Sequence, residues 1–268
     1  MRPADVVFAL CSRELVRFFR QRNRVIGALG QPLMFWVLFA AGFGPSFSSP
    51  GMSGPAQLSY GKYFFPGTVV LILLFTAIFA TISIIEDRRE GFLQSVLVAP
   101  IPRWSMVLGK LLGGTLIALL QSLLFLALGW FVGLRLGPLE LAATAVFLFV
   151  VALALTGLGF VIAWRMDSTQ GFHAIMSVFL LPMWLLSGSF FPAESGPLAW
   201  ILRVNPLAYG VAGLRHLLHW KVGDLVVSAS QPGLPSAATC WIVTLAFAAV
   251  TLALSWKMAG YRTTGDLL

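Results

Sequence analysis

Long apolar runs separated by short polar or turn-forming stretches dominate the chain, falling at about 26–44, 64–85, 107–134, 139–163, 171–190 and 237–257. A helix needs about 20 residues to cross a hydrocarbon core roughly 30 Å thick. Each run reaches that length, so the pattern predicts an all-α membrane protein with six transmembrane helices. A Ser/Gly/Pro-rich loop, 45–61, separates the first two runs, and the longest connection, 191–236, separates the last two. An even number of spans puts these two connections on one side and both termini on the other.

Residues 4–24 are patterned differently. Arg13, Arg17, Arg20 and Arg24 recur at spacings of four, three and four, while Val7, Phe8, Cys11, Leu15, Phe18 and Phe19 fill the other side. On a helix this is one basic stripe beside an apolar face. It predicts an interfacial amphipathic helix whose arginines face anionic lipid or a partner. A charge anchor for the first span would use the same residues. The chain thus divides into an N-terminal interfacial helix (1–25), a six-span membrane domain (26–257) and a short tail (258–268).

The densest charge follows the second run: Glu86-Asp87-Arg88-Arg89-Glu90, then Gly91 and an apolar segment ending at Pro100 and Pro102. Five charges at mid-membrane would cost on the order of 12–17 kcal/mol, at roughly 2.5–3.5 each. The second span is therefore expected to end before them. Leu93, Val96 and Leu97 stand at i, i+3 and i+4, which gives a short helix a small apolar docking face, and the prolines stop it. A solvated turn is the plainer reading of the same spacing.

Composition narrows the class. The chain is 58% hydrophobic and 10% charged, with mean hydropathy +0.88, which excludes a soluble enzyme and a disordered tail. The net charge of +8 comes from 18 Lys/Arg against 10 Asp/Glu, but the positives flank apolar runs instead of forming one patch, so no nucleic-acid partner is expected. Six lie before residue 25, four between Glu86 and Lys110, one at Arg165 and two at the C-terminus: 13 against the five at Lys62, Arg135, Arg203, Arg215 and Lys221. The positive-inside rule then places both termini and the Glu86 loop in the cytoplasm. No small-residue cleavage site follows a short apolar stretch, so an uncleaved first span is expected. Cys11 and Cys240 fall on opposite sides of the membrane and no disulfide is expected.

Several absences matter as much. All ten acidic residues (Asp5, Glu14, Glu86, Asp87, Glu90, Glu140, Asp167, Glu194, Asp224 and Asp266) fall outside or at the ends of the expected spans. Ion-coupled carriers place carboxylates within the membrane, so an ion-driven cycle and intramembrane acid/base chemistry are both disfavoured. There is no Gly-x-x-x-x-Gly-Lys-Ser/Thr phosphate loop. Leu186-Ser187-Gly188-Ser189 resembles an ATPase signature only superficially, at a position suited to a helix-ending turn. His216 and His219 have no third ligand near them, His173 stands alone, and no catalytic or metal-binding set is assigned. Gly109/Gly113 and Gly129/Gly133 have the spacing that lets helices approach closely. The 191–236 connection is apolar but broken by Pro192, Pro197 and Pro206, which suits short re-entrant helices.

Three features together resemble the membrane subunit of an ABC exporter of the ABC-2 type, over nearly the whole chain. They are the basic N-terminal helix; the Glu86–Arg103 segment with its Leu97-Val98-Ala99-Pro100-Ile101-Pro102-Arg103 ending; and Ser187-Gly188-Ser189-Phe190-Phe191-Pro192 followed by Asn205-Pro206-Leu207 and Arg215. Among subgroups it is most similar to antibiotic-resistance and nodulation-type exporters.

The resemblance implies a six-span permease that pairs with a second copy and with two ABC-type ATPase subunits. ATP-Mg would be bound there, with no cofactor on this chain. It implies a coupling helix at about Glu86–Ala99, with Glu86, Asp87, Glu90, Gly91, Leu93, Val96, Leu97 and Pro100 as coupling residues. It further implies a bacterial inner-membrane location and export of a hydrophobic or amphipathic compound such as a drug, lipid or lipid-linked glycan. Polar residues on otherwise apolar spans, Thr76, Thr81, Ser83, Gln121 and Ser122, are the candidate pathway groups; helix-to-helix hydrogen bonds would account for them equally. The rival classes are an intramembrane enzyme, which needs a convergent catalytic set, and a non-transporting scaffold.

Overall fold

The computed structural model describes residues 2–44, 47, 58–190, 197–222, 225–228 and 234–260, with backbone alone at 22–24, 197–198 and 225–228. Most of the 45–61 loop, Phe191, Pro192, Glu194, Asp224, the tail from 261 and the Arg24 side chain lie outside the described residues.

Among the described residues, six helical segments are long and apolar enough to cross a membrane: Val25–Phe43, Tyr60–Arg89, Arg103–Val132, Pro138–Trp164, Thr169–Ser189 and Ala237–Gly260. The chain is a multi-pass membrane protein. Its N-terminal helix α1 (Pro3–Arg20) starts with proline in the first turn and carries Asp5 at its positive end and Arg17 and Arg20 at its negative end. The first span is α2 (Arg22–Phe43). The second is built from α3 (Tyr60–Ala80) and α4 (Ile82–Arg89), separated by a turn at Thr81. After Gly91 comes α5 (Phe92–Val98), then α6 (Arg103–Leu128), which closes in a 3-10 turn at Gly129–Val132. The fourth span is α7 (Pro138–Trp164) and the fifth α8 (Thr169–Trp184), which runs into a π-type segment at Leu185–Ser189. Two short helices, α9 (Pro197–Val204) and α10 (Pro206–Leu217), precede the last span α11 (Ala237–Gly260).

The helical segment of the second span runs on through Glu86–Arg89, past the point where the charge pattern ends the span, and each of these charges has a partner. One element was not expected: β1 (His219–Val222) and β2 (Leu225–Ser228) form an antiparallel hairpin in the register His219↔Ser228. Leu134 bridges to Trp220, and Lys221 N donates to Gly133 O at 2.7 Å.

The core is organised around α3, which is apolar on every side and buried along most of its length, as such a helix must be. It packs on α2, α6 and α7. The outer helices keep broad apolar faces exposed, among them Met34, Val37 and Leu38 on α2 and Ile242, Leu245 and Trp256 on α11, as lipid contact requires. Gly109 and Gly113 do mark a close approach, and their partner is α1. A Cβ at Gly109 would sit 2.9 Å from Leu10 Cβ, and one at Gly113 would sit 2.7 Å from Glu14 Cβ. Of Gly129 and Gly133, the first also marks a close approach, to Phe65 of α3 and to Leu134, while Gly133 belongs to the turn that ends the third span.

Candidate functional site: an ionic joint and an aromatic cavity

At one end of the bundle, α1, α4 and α6 meet through charges. Lys110 on α6 is 6% exposed and donates to Glu14 Oε1 at 2.5 Å, to Asp87 Oδ2 and to Ser83 Oγ at 3.3 Å. Asp87 is fully buried and takes a two-pronged bond from Arg13 (3.1 and 2.8 Å) and another from Arg17 (2.9 Å). Arg17 also reaches Glu86 at 2.8 Å and Glu90 at 3.4 Å. A carboxylate can be this buried because its lone pairs are met by three cationic donors. The Asp87 hydrogen bond in turn holds the Arg13 guanidinium above the usual arginine range, against the opposing effect of burial. Arg13 also stacks 3.9 Å over the Phe92 ring, which ties α1 to α5.

The sequence expectation that the arginine stripe faces lipid or a partner therefore changes. Arg13 and Arg17 turn inward to carboxylates, and the outward face of α1 carries Phe8, Val16 and Phe19. Asp87 and Glu14 are buried by the protein itself, although both lie outside or at the end of a candidate span. Periodicity placed Arg13, Arg17 and Arg20 on α1 but could not say what they meet, and it missed the break at Gln21, which puts Arg24 on α2 and not on the interfacial helix; Arg20 is exposed.

Arg88 and Arg89 point the other way. Arg88 donates to Trp164 O at 2.7 Å, Met166 O at 3.2 Å and Asp167 Oδ1 at 3.2 Å, and Arg89 donates to Asp167 O at 3.0 Å. They satisfy carbonyls at the end of α7 that its helix leaves unpaired. Arg103 does the same for α11 through Ala259 O and Gly260 O, both at 2.9 Å.

The α5 segment forms as the spacing predicts, but its face is turned. Leu93 is buried in the chain's own core and Val96 and Leu97 pack partly against it, so these three do not make a free docking surface. Ser95, Val98 and Pro100 are the exposed positions, Val98 at 79%. The left-handed backbone of Gly91 (φ 75°) permits the sharp turn between α4 and α5.

A cavity of about 460 Å³ opens beside this joint, lined by Phe18 of α1, Gln31 and Pro32 of α2, Phe75, Thr76 and Phe79 of α3, and His173 of α8. Its wall is mainly apolar, with three phenylalanines, and Gln31, Thr76 and His173 are the polar groups. The His173 ring lies 5.2 Å from that of Phe79. Of the five candidate pathway residues, Thr76 lines this cavity, and its hydroxyl bonds Gln121 Oε1 at 2.5 Å. The others are engaged within the bundle: Thr81 donates to Ile78 O, Ser122 to Leu119 O, and Ser83 accepts from Lys110. The Gln121 amide nitrogen is buried with no hydrogen-bond partner.

At the opposite end, Asn205 caps α10 by accepting from Leu207 N at 3.0 Å and donates to Met183 O and Leu186 O at 2.6 and 2.9 Å. Arg215, 2% exposed, donates to Gly188 O at 2.9 Å and lies 4.3 Å over the Tyr63 ring. Gly188 (φ 77°) supplies the turn that ends the fifth span. His216 Nε2 contacts Pro235 O, and His219 lies 3.6 Å from Glu140, so the two histidines do not converge.

Residues 5–219 match the family described as ABC-2 type transporter. The chain belongs to that family. Such permeases are non-catalytic and generally pair with a separate ABC ATPase. Among known proteins, the putative transport permease ycf38 of Cyanophora paradoxa is 26% identical over 216 residues, covering 79% of this chain and 73% of its own. The probable multidrug ABC transporter permease YbhR of Escherichia coli (strain K12) is 28% identical over 160 residues, 57% of this chain and 42% of that one. The linearmycin resistance permease protein LnrN of Bacillus subtilis (strain 168) is 26% identical over 196 residues, 71% and 47% respectively. The chain thus spans less than half the length of the last two.

Proposed function

We propose that this permease subunit exports a hydrophobic or amphipathic compound. The observation that carries this is the aromatic cavity: three phenylalanines with Gln31, Thr76 and His173 suit an apolar body bearing one hydrogen-bonding group. The names of the YbhR and LnrN relatives, a multidrug and a linearmycin resistance permease, point to the same class.

Two ATPase subunits would bind ATP-Mg and drive two copies of this chain, docking at the exposed side of α5. The charge count favours both termini, α1 and α5 in the cytoplasm, and the likeness to bacterial exporters favours an inner-membrane location. On this reading the cavity lies in the inner half of the bilayer, and Arg215 with α9 and α10 lies near the exit.

The test is ATP-dependent accumulation of a fluorescent hydrophobic amine in inverted vesicles containing the chain and its ATPase. Ala28→Trp fills the cavity from α2 and should abolish accumulation while ATPase association persists. Undiminished accumulation by that variant would sink the cavity assignment.

A further inference from the structure

The four charges of α4, Glu86, Asp87, Arg88 and Arg89, leave it in two opposite directions. Its carboxylates go to α1 and α6, and its arginines go to the end of α7. Helix α4 follows α3 across one tight turn at Thr81, whose backbone stays right-handed, and is set off from α5 by the left-handed Gly91.

We propose that α4 works as a lever and that Lys110 and Glu14 are the positioning residues of its joint, so that motion of α5 is delivered to the third span, α6, through the Glu14–Lys110–Asp87 triad. The inference rests on ATPase docking at α5. Delivery through the backbone into α3 would have to act across the Thr81 turn on a helix enclosed by the core. Lys110 stands between Gly109 and Gly113, where α1 is seated directly on α6, and one ammonium there holds both Glu14 of α1 and Asp87 of α4. A charge triad excluded from water resists separation more strongly than an exposed one. Arg13 closes the circuit, because it grips Asp87 of α4 and covers Phe92 of α5. This assigns Asp87 to the inside of the joint, where it is fully buried, and leaves ATPase contact to exposed groups such as Val98.

The test is the Lys110→Met/Glu14→Gln double variant in proteoliposomes with the ATPase. It removes one positive and one negative charge and leaves Asp87 paired with Arg13 and Arg17. Insertion, ATPase copurification and basal hydrolysis should match wild type, while transport per ATP falls tenfold or more. Wild-type transport would overturn the inference. Arg13→Gln, at a side chain 30% exposed, provides a second variant: it should keep the fold and lose transport a few-fold. If the double variant does not insert, normal transport by Arg13→Gln overturns the proposal and uncoupling supports it. Val98→Asp separates the two readings. If it retains ATPase association and transport, docking at α5 is wrong; if it loses them while the double variant transports normally, the docking stands and the lever falls.

Discussion

Replacing Lys110 alone with Met measures how much the joint contributes to stability. The change removes the ammonium shared by Glu14 and Asp87, and the two carboxylates are left facing each other from α1 and α4. Asp87 keeps Arg13 and Arg17, whereas Glu14 keeps Arg13 at 3.3 Å as its remaining partner on the same helix. Breaking a buried pair by deleting one partner costs about 3–5 kcal/mol. With each kcal/mol worth about 2–4 °C in a domain of 150–250 residues, the melting temperature in detergent should fall by roughly 6–20 °C. Adding Glu14→Gln removes the stranded charge and should restore more than half of the loss, since neutralising both partners of a buried pair is often nearly neutral. Fluorescence-detected size-exclusion melts of wild type, both single variants and the double variant complete the cycle. A Lys110→Met melt within about 2 °C of wild type, or no recovery on adding Glu14→Gln, would refute the view that this triad is a buried, mutually dependent unit.

Two further outcomes are expected. In intact cells an impermeant maleimide should label Arg135→Cys and spare Glu90→Cys; the native Cys11 thiol, pushed up first by burial and then by Glu14, should label slowly at pH 7 in permeabilised cells, its rate still climbing as pH rises past the ordinary thiol range, and the reverse sidedness would overturn the orientation. Arg215→Met removes the charged bond to Gly188 O, worth about 1.5–3 kcal/mol, and should lower the melting temperature measurably, with Lys restoring little because it lacks the flat guanidinium that covers Tyr63; full rescue by Lys would argue against the stacked geometry.

Span number and the basic stripe of α1 were legible in the sequence because both rest on one-dimensional rules: run length against bilayer thickness, and spacing against the helical period. Asn205-Pro206-Leu207 entered the sequence reading only through the family resemblance; that Asn205 caps α10, with Pro206 in its first turn, is a finding of the structure. The α5 segment was half legible. Its apolar triad forms a helix, yet spacing cannot distinguish an apolar face aimed at a partner from one folded back on its own chain, and Leu93 is folded back.

What only the tertiary structure decided is where the charges go. Read singly, five consecutive charges after residue 85 end a span, because an isolated ion in a membrane is costly. The helix nonetheless runs on to Arg89, and the fold brings Arg13 and Arg17 from some 70 positions upstream and Lys110 from 23 positions downstream onto Glu86 and Asp87. Sequence fixes the hydrophobic run lengths because burial in lipid is additive along the chain. The ionic joint, the aromatic cavity and the Arg215 contact depend on which helices are neighbours, and that is settled by the packing of α1 on Gly109 and Gly113 and of α2, α6 and α7 around α3.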